Sequence, residues 1–582
     1  MQLRLRTLTP LHIGSGDEVP QLEYFVHRGT YYKVPQDVMV RFLQEHVPNG
    51  PRLFADWISE RFQQIRELRN NKELKRIEQR MSPWHFCDEN GKARDLIQFL
   101  HNTQALHLPV ILDEKVRKLA DKHPVVSLGK IQEALKTGRQ RPYLPGSTLK
   151  GALRTAVFYH WLTNYVSWSD VQHLVDKQVG KKAKRTTFAA PLETRAFYCG
   201  TRNLARKKTK DDDEKMDLFK LIQFSDAHLT DTGGALNMAK INLYLVAKEK
   251  KDNRSYRHEV VWKTQSQGQT SYAEMIVPDR ELTTELDFNI DFLLRLKDML
   301  KDGAVVSGKE EHWIGVEKRV QQLFGITIQD LTEANKEEKR QQAIDHLLQI
   351  WASFSQRQVQ SDVAWRERIR EHDPRDEYAS AIDAGYQLIE QLSGKRLMNL
   401  GYATGFQGTT ALLYFLDDTG RHDTFEKVMS TFNLGKAPRA KGKYTPRIRK
   451  FPKSKRLVEW NEQIVPLGWL VVSDDLPKDF DIASTMAAST PPTPAEPEPP
   501  KEIVPEFPAK KVNYKKPPLL DAVVIKSGRP NRVKVYLSPE EQPELELNRY
   551  RNPLDVDTII KVEIDMNKKG KVLQASFRGF KK

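Results

Sequence analysis

The chain has 582 residues, of which 39% are hydrophobic, so it is long enough to form several packed domains. Lys and Arg number 93 against 77 Asp and Glu, and the resulting formal net charge of +16 favours a polyanionic partner such as nucleic acid. Two cysteines exclude a disulfide framework or a cysteine zinc site, and no apolar run reaches the ~20 residues of a membrane span. We therefore expect a cytoplasmic protein with no metal, no other cofactor and no membrane association.

The first 165 residues predict one α+β half-domain with a helical insertion at about residues 45–110. Leucines alternate with arginines near the N-terminus, which is typical of a strand, and the glycines at residues 12–16 indicate a turn after it. A second strand and a helix are expected before the insertion, and a short helix is expected at residues 127–141.

The segment PYLPGSTLKGALR at residues 142–154 predicts the start of a helix that continues to about residue 165. Ser147 stands where an N-cap is expected, and Gly151 would let another backbone approach closely. Lys150 and Arg154 lie four residues apart on a face of their own, next to the partial positive charge of the helix N-terminus. This arrangement suits a backbone phosphate, and the alternative is a capped helix with solvated cations.

Two catalytic interpretations of this segment lack the residues that they require. Ser147 and Lys150 match S-x-x-K of penicillin-binding proteins, but the chain has S-D-A at residues 225–227 in place of S-D-N, and its K-T-G lies upstream. Residues 146–151 have the spacing of a Walker A loop, but Ala152 and Leu153 follow where Lys and Ser or Thr would hold phosphate and Mg²⁺.

The rest of the chain divides by composition into five further segments. They are predicted as strands and loops of a second half-domain (166–280), a mainly helical insertion (281–395), a glycine-rich loop, basic segment and closing strand (396–478), a proline-rich linker (479–518) and a small β-barrel of OB or SH3-like type (519–582).

Three features outside the helix start also suit a polyphosphate chain. Residues 435–456 contain ten Lys or Arg and no Asp or Glu, with two aromatic residues between them, which fits a nucleic-acid backbone with splayed bases. Glycine-rich loops follow the first strand and precede an apolar stretch near residue 410. From charge alone, the predicted contacts are Arg449, Lys450, Lys453, Lys455 and Arg456.

The ordered motifs TPLHIGSG, RPYLPGSTLKGALRTA, LFKLIQFSDAHL, GYATGFQGTT and FPKSKRLV…VPLGWLVV resemble the RAMP superfamily of CRISPR-associated proteins over about residues 1–475. More narrowly, they resemble the Csm-type RAMP subunit that caps one end of the type III-A effector complex. The resemblance implies two ferredoxin-like, RRM-like halves with helical insertions. It does not cover the linker and the barrel.

The same resemblance implies a non-catalytic subunit that binds the 3′ part of the CRISPR RNA, has a role in its maturation and docks on the backbone RAMP subunit. Target RNA, the small helical subunit and a partner of the barrel remain open as further contacts. By motif position, the resemblance implies nine RNA contacts: Gly14, Ser15, Gly16, Ser147, Lys150, Arg154, Gly401, Gly405 and Gly408. The alternative is a metal-independent endoribonuclease in which His12 is the general acid or base.

Overall fold

The structure is a computed structural model that describes most of the chain. The described residues are 1–68, 71–103, 105–111, 116, 120, 125–129, 131–180, 188–197, 200–201, 217–250, 256–263, 271–301, 305–306, 315–371, 378–408, 412–432, 454–460, 463–477, 480–482, 519–526, 531–536, 538, 542–548, 559–566 and 572–580. The chain forms two compact units, Met1–Pro491 and Pro492–Lys582.

The strands of both units are numbered in chain order. They are β1 Gln2–Thr7, β2 Gly14–Val19, β3 Tyr24–His27, β4 Thr30–Lys33, β5 His107–Pro109, β6 Val125–Val126, β7 Ile131–Ala134, β8 Tyr143–Leu144, β9 Gly200–Thr201, β10 Ile222–Phe224, β11 Ala227–Leu229, β12 Leu236–Lys250, β13 Tyr256–Lys263, β14 Ser271–Ile276, β15 Glu281–Phe288, β16 Val305–Val306, β17 Leu397–Asn399, β18 Ser454–Trp460, β19 Gln463–Pro466, β20 Trp469–Val472, β21 Leu520–Lys526, β22 Arg532–Val535, β23 Glu544–Asn548, β24 Ile559–Met566 and β25 Val572–Phe580.

The α-helices all lie in the first unit as far as the chain is described. They are α1 Gln36–His46, α2 Gly50–Glu67, α3 Asn71–Gln79, α4 Pro83–Glu89, α5 Ala93–Asn102, α6 Gly146–Tyr165, α7 Trp168–Gly180, α8 Ala190–Phe197, α9 Ile290–Lys301, α10 Val316–Phe324, α11 Lys336–Glu371, α12 Ala379–Gln391, α13 Gly405–Gly408, α14 Leu413–Leu416 and α15 His422–Phe432.

Two seven-stranded sheets form the framework of the first unit. The first has the order β17-β20-β1-β15-β11-β8, with β10 also on β15, and the second has the order β19-β18-β12-β14-β7-β2, with β13 also on β12. In β1, Leu3 and Leu5 are buried and alternate with more exposed residues, because successive side chains of a strand point to opposite faces. The strand predicted from this alternation is confirmed, and β1 lies between β20 and β15 in the first sheet.

Helices cover both sheets, and the long helix α11 connects their two hydrophobic cores. Each core takes strand residues from both sheets; the apolar face of α6 packs in the first core, while α12 packs in the second. Along α11, Leu347 and Trp351 belong to the first core, whereas Val359 and Trp365 belong to the second. One helix of 36 residues is thus shared by the two cores.

The predicted helical insertion at residues 45–110 contains α2 to α5. Of these helices, α2, α4 and α5, together with α1, share a separate core with the four-stranded sheet β5-β4-β3-β6. The aromatic rings of Phe25 and Tyr32 stack there with centroids 5.0 Å apart.

The second unit contains a closed five-stranded barrel with the strand order β21-β22-β23-β25-β24. Strand β24 also pairs with β21, and β23 runs parallel to β25. This connectivity is that of an OB-type barrel, so it decides between the two barrel types that the sequence left open.

The predicted fold class, α+β with a small C-terminal barrel, is confirmed, but two local predictions are wrong and the mainly helical segment 281–395 also contains a strand that was not predicted. Residues 131–134 form strand β7 rather than part of a helix, since Ile131 pairs with both β14 and β2. The expected turn at residues 12–16 runs directly into strand β2. The segment that begins at residue 281 opens with strand β15, whose alternate residues are buried, before the helices follow.

None of the helices in the described ranges has the length and hydropathy that a bilayer crossing requires.

Candidate nucleic-acid interface

A cavity of about 620 Å³ lies where the start of β2, the exposed face of α6 and the loop after β17 meet. It brings together three motifs that are far apart in the sequence. Its lining is formed by His12, Ile13, Gly14, Gly16, Asp17, Glu18, Gln132, Glu133, Thr148, Gly151, Ala152, Thr155, Asn399, Leu400, Gly401, Tyr402, Thr404 and Gly408.

Helix α6 begins at Gly146, one residue earlier than the sequence predicted, and Ser147 does not cap it. Pro145 is the N-cap residue, and no side chain of the cap accepts a hydrogen bond. Instead, the Gly146 amide donates to Asp226 Oδ1 at 2.9 Å. A Cβ atom at Gly146 would lie 2.4 Å from the Phe224 carbonyl oxygen, so only glycine allows this close approach.

One face of α6 presents small residues to the cavity. Thr148, Gly151, Ala152 and Thr155 follow the i, i+3, i+4, i+7 spacing of a single helical face. A Cβ atom added at Gly151 would meet nothing within 4 Å, so the expected close backbone approach at this glycine is wrong. Gly151 instead leaves open space in the cavity.

Lys150 and Arg154 lie on a different face of α6 and make contacts within the chain. Lys150 Nζ donates to the Ile222 carbonyl oxygen at 2.6 Å, and burial lowers the pKa of this ammonium group. Arg154 pairs with Asp217 at 2.8 Å and lies 3.9 Å from the centroid of the Phe197 ring. The structure therefore gives both cations a role in packing, outside the cavity lining.

The loop after β17 packs directly on the backbone of His12. Gly401 has a φ of +81°, and a Cβ atom there would lie 2.7 Å from the His12 carbonyl oxygen. The Tyr402 amide donates to that same oxygen at 2.9 Å. Glycine is thus required at residue 401 both for the left-handed backbone and for this contact.

His12 is buried, with 1% of its surface exposed, and lines the cavity. Its Nδ1 lies 2.7 Å from the Glu274 carbonyl oxygen. Because a carbonyl oxygen only accepts, Nδ1 carries the proton and Nε2 holds the lone pair in the neutral ring. Burial lowers the pKa of His12, so the neutral form is favoured at neutral pH.

A network of buried charges lies behind Glu133 in the cavity wall. Lys136 pairs with Glu133 at 3.0 Å and also with Glu274, which is fully buried, and Lys33 also pairs with Glu133. Burial raises the pKa of Glu133, but hydrogen bonds from the two lysines outweigh it and hold the pKa below its usual value. The two lysines balance the two carboxylates of this network.

The basic segment contributes one described cation next to the cavity. Arg456 is exposed, and its guanidinium carbon lies 5.4 Å from the centroid of the Tyr402 ring. Tyr402 in turn meets the His12 ring edge-to-face, with centroids 5.7 Å apart. Lys455, by contrast, forms an ion pair with the buried Asp362. Arg449, Lys450 and Lys453 lie outside the described residues.

Four of the predicted RNA contacts line the cavity: Gly14, Gly16, Gly401 and Gly408. The other described ones do not: Ser15, Ser147, Lys150, Arg154, Gly405, Lys455 and Arg456.

Sequence reasoning missed Tyr402, which stands inside the quoted motif GYATGFQGTT, and the polar face of α6. The i, i+3, i+7 repeat of Thr148, Gly151 and Thr155 would have indicated that face. The described part of the chain contains no group of three or more His, Cys, Asp or Glu residues placed to hold a metal ion.

Comparison with known proteins gives a family match. A sequence profile of the RAMP superfamily matches residues 4–394. No curated protein matches the chain. Among solved structures, a chain of a Csm–crRNA–target RNA ternary complex from a type III-A CRISPR-Cas system shares 18% identity and a TM-score of 0.47, over 81% of this chain and 100% of that one. Csm5 from T. onnurineus shares 16% identity and a TM-score of 0.44, also over 81% of this chain and 100% of its own length.

The superfamily profile spans well over half of the chain and includes the first three of the five motifs. The other two, which start at residues 401 and 451, lie beyond the match. The match extends over β1, the start of β2, the whole of α6 and both sheets as far as residue 394. It confirms the resemblance inferred from the motifs, and the chain belongs to the RAMP superfamily.

Proposed function

We propose that this chain is a non-catalytic RNA-binding subunit of a type III-A (Csm) CRISPR effector complex, which caps the filament, binds the 3′ part of the CRISPR RNA and acts in its maturation. The observation that carries the proposal is the cavity, because it joins the glycine motifs on which the Csm-type resemblance rests. Membership of the RAMP superfamily and the net charge of +16 support RNA as the ligand.

The composition of the cavity also favours binding over cleavage. Metal-independent cleavage requires an acid or base together with cations that stabilise the charged phosphate in the transition state. His12 could act as the base, since its neutral form is favoured, but neither Lys nor Arg is among the described lining residues. The endoribonuclease therefore remains the second candidate, supported by His12 alone.

A titration of the full chain with fluorescently labelled single-stranded RNA tests the proposal. We expect binding that weakens steeply with salt, with a slope of log K against log [salt] of roughly −0.7 for each phosphate contacted. In the assembled complex, omission of this chain should change the 3′ ends of the CRISPR RNA. Absent or salt-insensitive RNA binding, both alone and in the complex, would contradict the proposal.

Incubation of labelled precursor RNA with the wild-type chain and with His12→Ala separates the two candidates. We expect no specific cleavage by either protein. Specific cleavage by the wild-type chain that is lost in His12→Ala would establish the endoribonuclease instead.

A further inference from the structure

The charges around the cavity do not suit a phosphate inside it. Asp17, Glu18 and Glu133 all line it, and none of the described lining residues is Lys or Arg. Lys33 and Lys136 balance Glu133 and the buried Glu274, so these lysines add no net positive charge. A phosphodiester inside the cavity would meet carboxylates of like charge.

The same lining suits a flat, neutral group with hydrogen-bond donors. Carboxylates accept hydrogen bonds from the amino groups of bases, as Glu and Asp do from cytosine. The cavity also offers amide side chains, threonine hydroxyl groups and the aromatic ring of Tyr402, against which a base can stack. Its volume of about 620 Å³ falls within the roughly 300–1,000 Å³ that is typical of small-ligand sites.

An exposed cation beside this site, Arg456, is positioned for the RNA backbone rather than for the base. Arg456 is exposed and lies against the Tyr402 ring, which itself lines the cavity. A phosphate next to a base in the cavity could pair with this guanidinium group, which binds phosphates in a bidentate manner.

We propose that the cavity receives one unstacked nucleobase of the bound RNA, preferentially one with an amino group, while the backbone phosphates stay outside it near Arg456. This inference rests on the proposed RNA-binding function and specifies which chemical group of the RNA enters the site.

The test compares two ligands of equal length: a labelled single-stranded RNA and a ribose-phosphate oligomer that is abasic at every position. Gly151→Leu fills the cavity, because its Cβ atom has open space in front of it. Gly180→Leu is the matched control, since this exposed helical glycine also has nothing within 4 Å of an added Cβ atom. Thr155→Leu, on the same face of α6, is a second cavity variant, and thermal unfolding shows that each variant is folded.

We expect Gly151→Leu and Thr155→Leu to weaken binding of the intact RNA by about tenfold, which is the effect of losing one stacked base, and to leave the abasic oligomer unaffected. Gly180→Leu should bind both ligands as the wild type does. Asp17→Asn should change the affinity for RNA in opposite directions, depending on whether a base or a phosphate enters the cavity. It should weaken binding of intact RNA if a base enters the cavity, and it should strengthen binding of both ligands if a phosphate does.

Each other outcome is informative. If the wild-type chain binds neither ligand, the proposed function fails and this inference fails with it. If the wild type binds RNA but the cavity variants weaken both ligands equally, or neither, the nucleobase site is overturned and RNA binding stands.

Discussion

Lys455 and Arg456 are neighbours in the basic segment, but β18 directs their side chains into different surroundings. Successive residues of a strand point to opposite faces. Lys455 and its partner Asp362 are 15% and 7% exposed, and Asp362 also accepts a hydrogen bond from the Tyr386 hydroxyl group at 2.8 Å. Arg456 is exposed and lies against Tyr402 at the cavity.

This difference predicts that one of two adjacent substitutions weakens RNA binding and the other lowers the stability of the fold. Arg456→Ala should weaken RNA binding by roughly three- to tenfold, through loss of one phosphate contact and the contact with Tyr402, and should leave the melting temperature unchanged. Lys455→Ala should reduce the free energy of unfolding by about 3 kcal/mol, because Asp362 then remains buried without its cation.

RNA titration and thermal unfolding of both variants test these two predictions, and each variant serves as the control for the other. A Lys455→Ala protein that melts as the wild type does but binds RNA poorly would show that Lys455 contacts RNA and that its pairing with Asp362 contributes little.

At this scale, charge counting identified the basic segment but could not distinguish its members. The ten cations of residues 435–456 are equivalent in composition, and only the register of β18 assigns Lys455 to the core. For Lys150 and Arg154, too, the sequence alone could not predict which groups the cations contact. Their shared face on α6 was predictable, but their partners Ile222 and Asp217 come from a distant segment.

Among the elements, α6 shows which features of a helix its own sequence determines. The predicted apolar residues Leu149, Leu153, Ala156, Val157 and Trp161 are all buried, because their spacing alone defines the face. The N-terminus was predicted less well, since the group that satisfies the Gly146 amide is Asp226, 80 residues away. The lining residues Gln132 and Glu133 were missed because β7 is a short strand, whose pairing partners are distant in the sequence.

The contact between α6 and α11 includes two histidine rings that make it sensitive to pH. The rings of His160 and His346 meet edge-to-face with centroids 5.9 Å apart, and neither Nε2 atom has a hydrogen-bond partner among the described residues. Burial, and to a smaller extent His346, lowers the pKa of His160 from 6.5 to about 4, and burial also lowers the pKa of His346.

A lowered pKa means that the folded protein holds fewer protons than the unfolded chain between pH 6.5 and about 4. Stability from these two groups is therefore fully present above pH 6.5 and is lost as the pH falls towards 4. We expect the pair to account for about 1–2 kcal/mol of this loss, after allowance for the partial exposure of both rings.

Thermal unfolding as a function of pH measures this contribution. The double variant His160→Gln, His346→Gln should show a shallower decline of stability in acid than the wild type. His228→Gln, at an exposed histidine, should retain the wild-type decline. Equal slopes for the double variant and the wild type would contradict the prediction.

At the scale of the whole molecule, the barrel lies outside the RAMP match and its described strands carry balanced charges. Across β22 and β23, Arg532 stands opposite Glu546 and Lys534 opposite Glu544. Elsewhere on the barrel, Lys561 pairs with Asp521 and Arg578 pairs with Glu563. Residues 519–582 contain 13 Lys or Arg against 9 Asp or Glu, a net charge of +4, so +12 of the total +16 lies in the rest of the chain.

The pairing of opposite charges on the described barrel strands predicts that the barrel serves assembly more than RNA affinity. A chain that ends at Pro491, the last residue of the first unit, retains both sheets, both cores and the cavity. It should bind single-stranded RNA within about threefold of the full chain, because it keeps the cavity and Arg456, whereas the strand cations of the barrel already face carboxylates and release few counterions on binding. We expect the effector complex assembled with the shortened chain to lack one protein that the full chain retains. Subunit composition by mass spectrometry and RNA titration at two salt concentrations measure both effects. A loss of RNA affinity greater than tenfold would instead assign the OB-type barrel to RNA binding, and an unchanged set of subunits would contradict the assembly role.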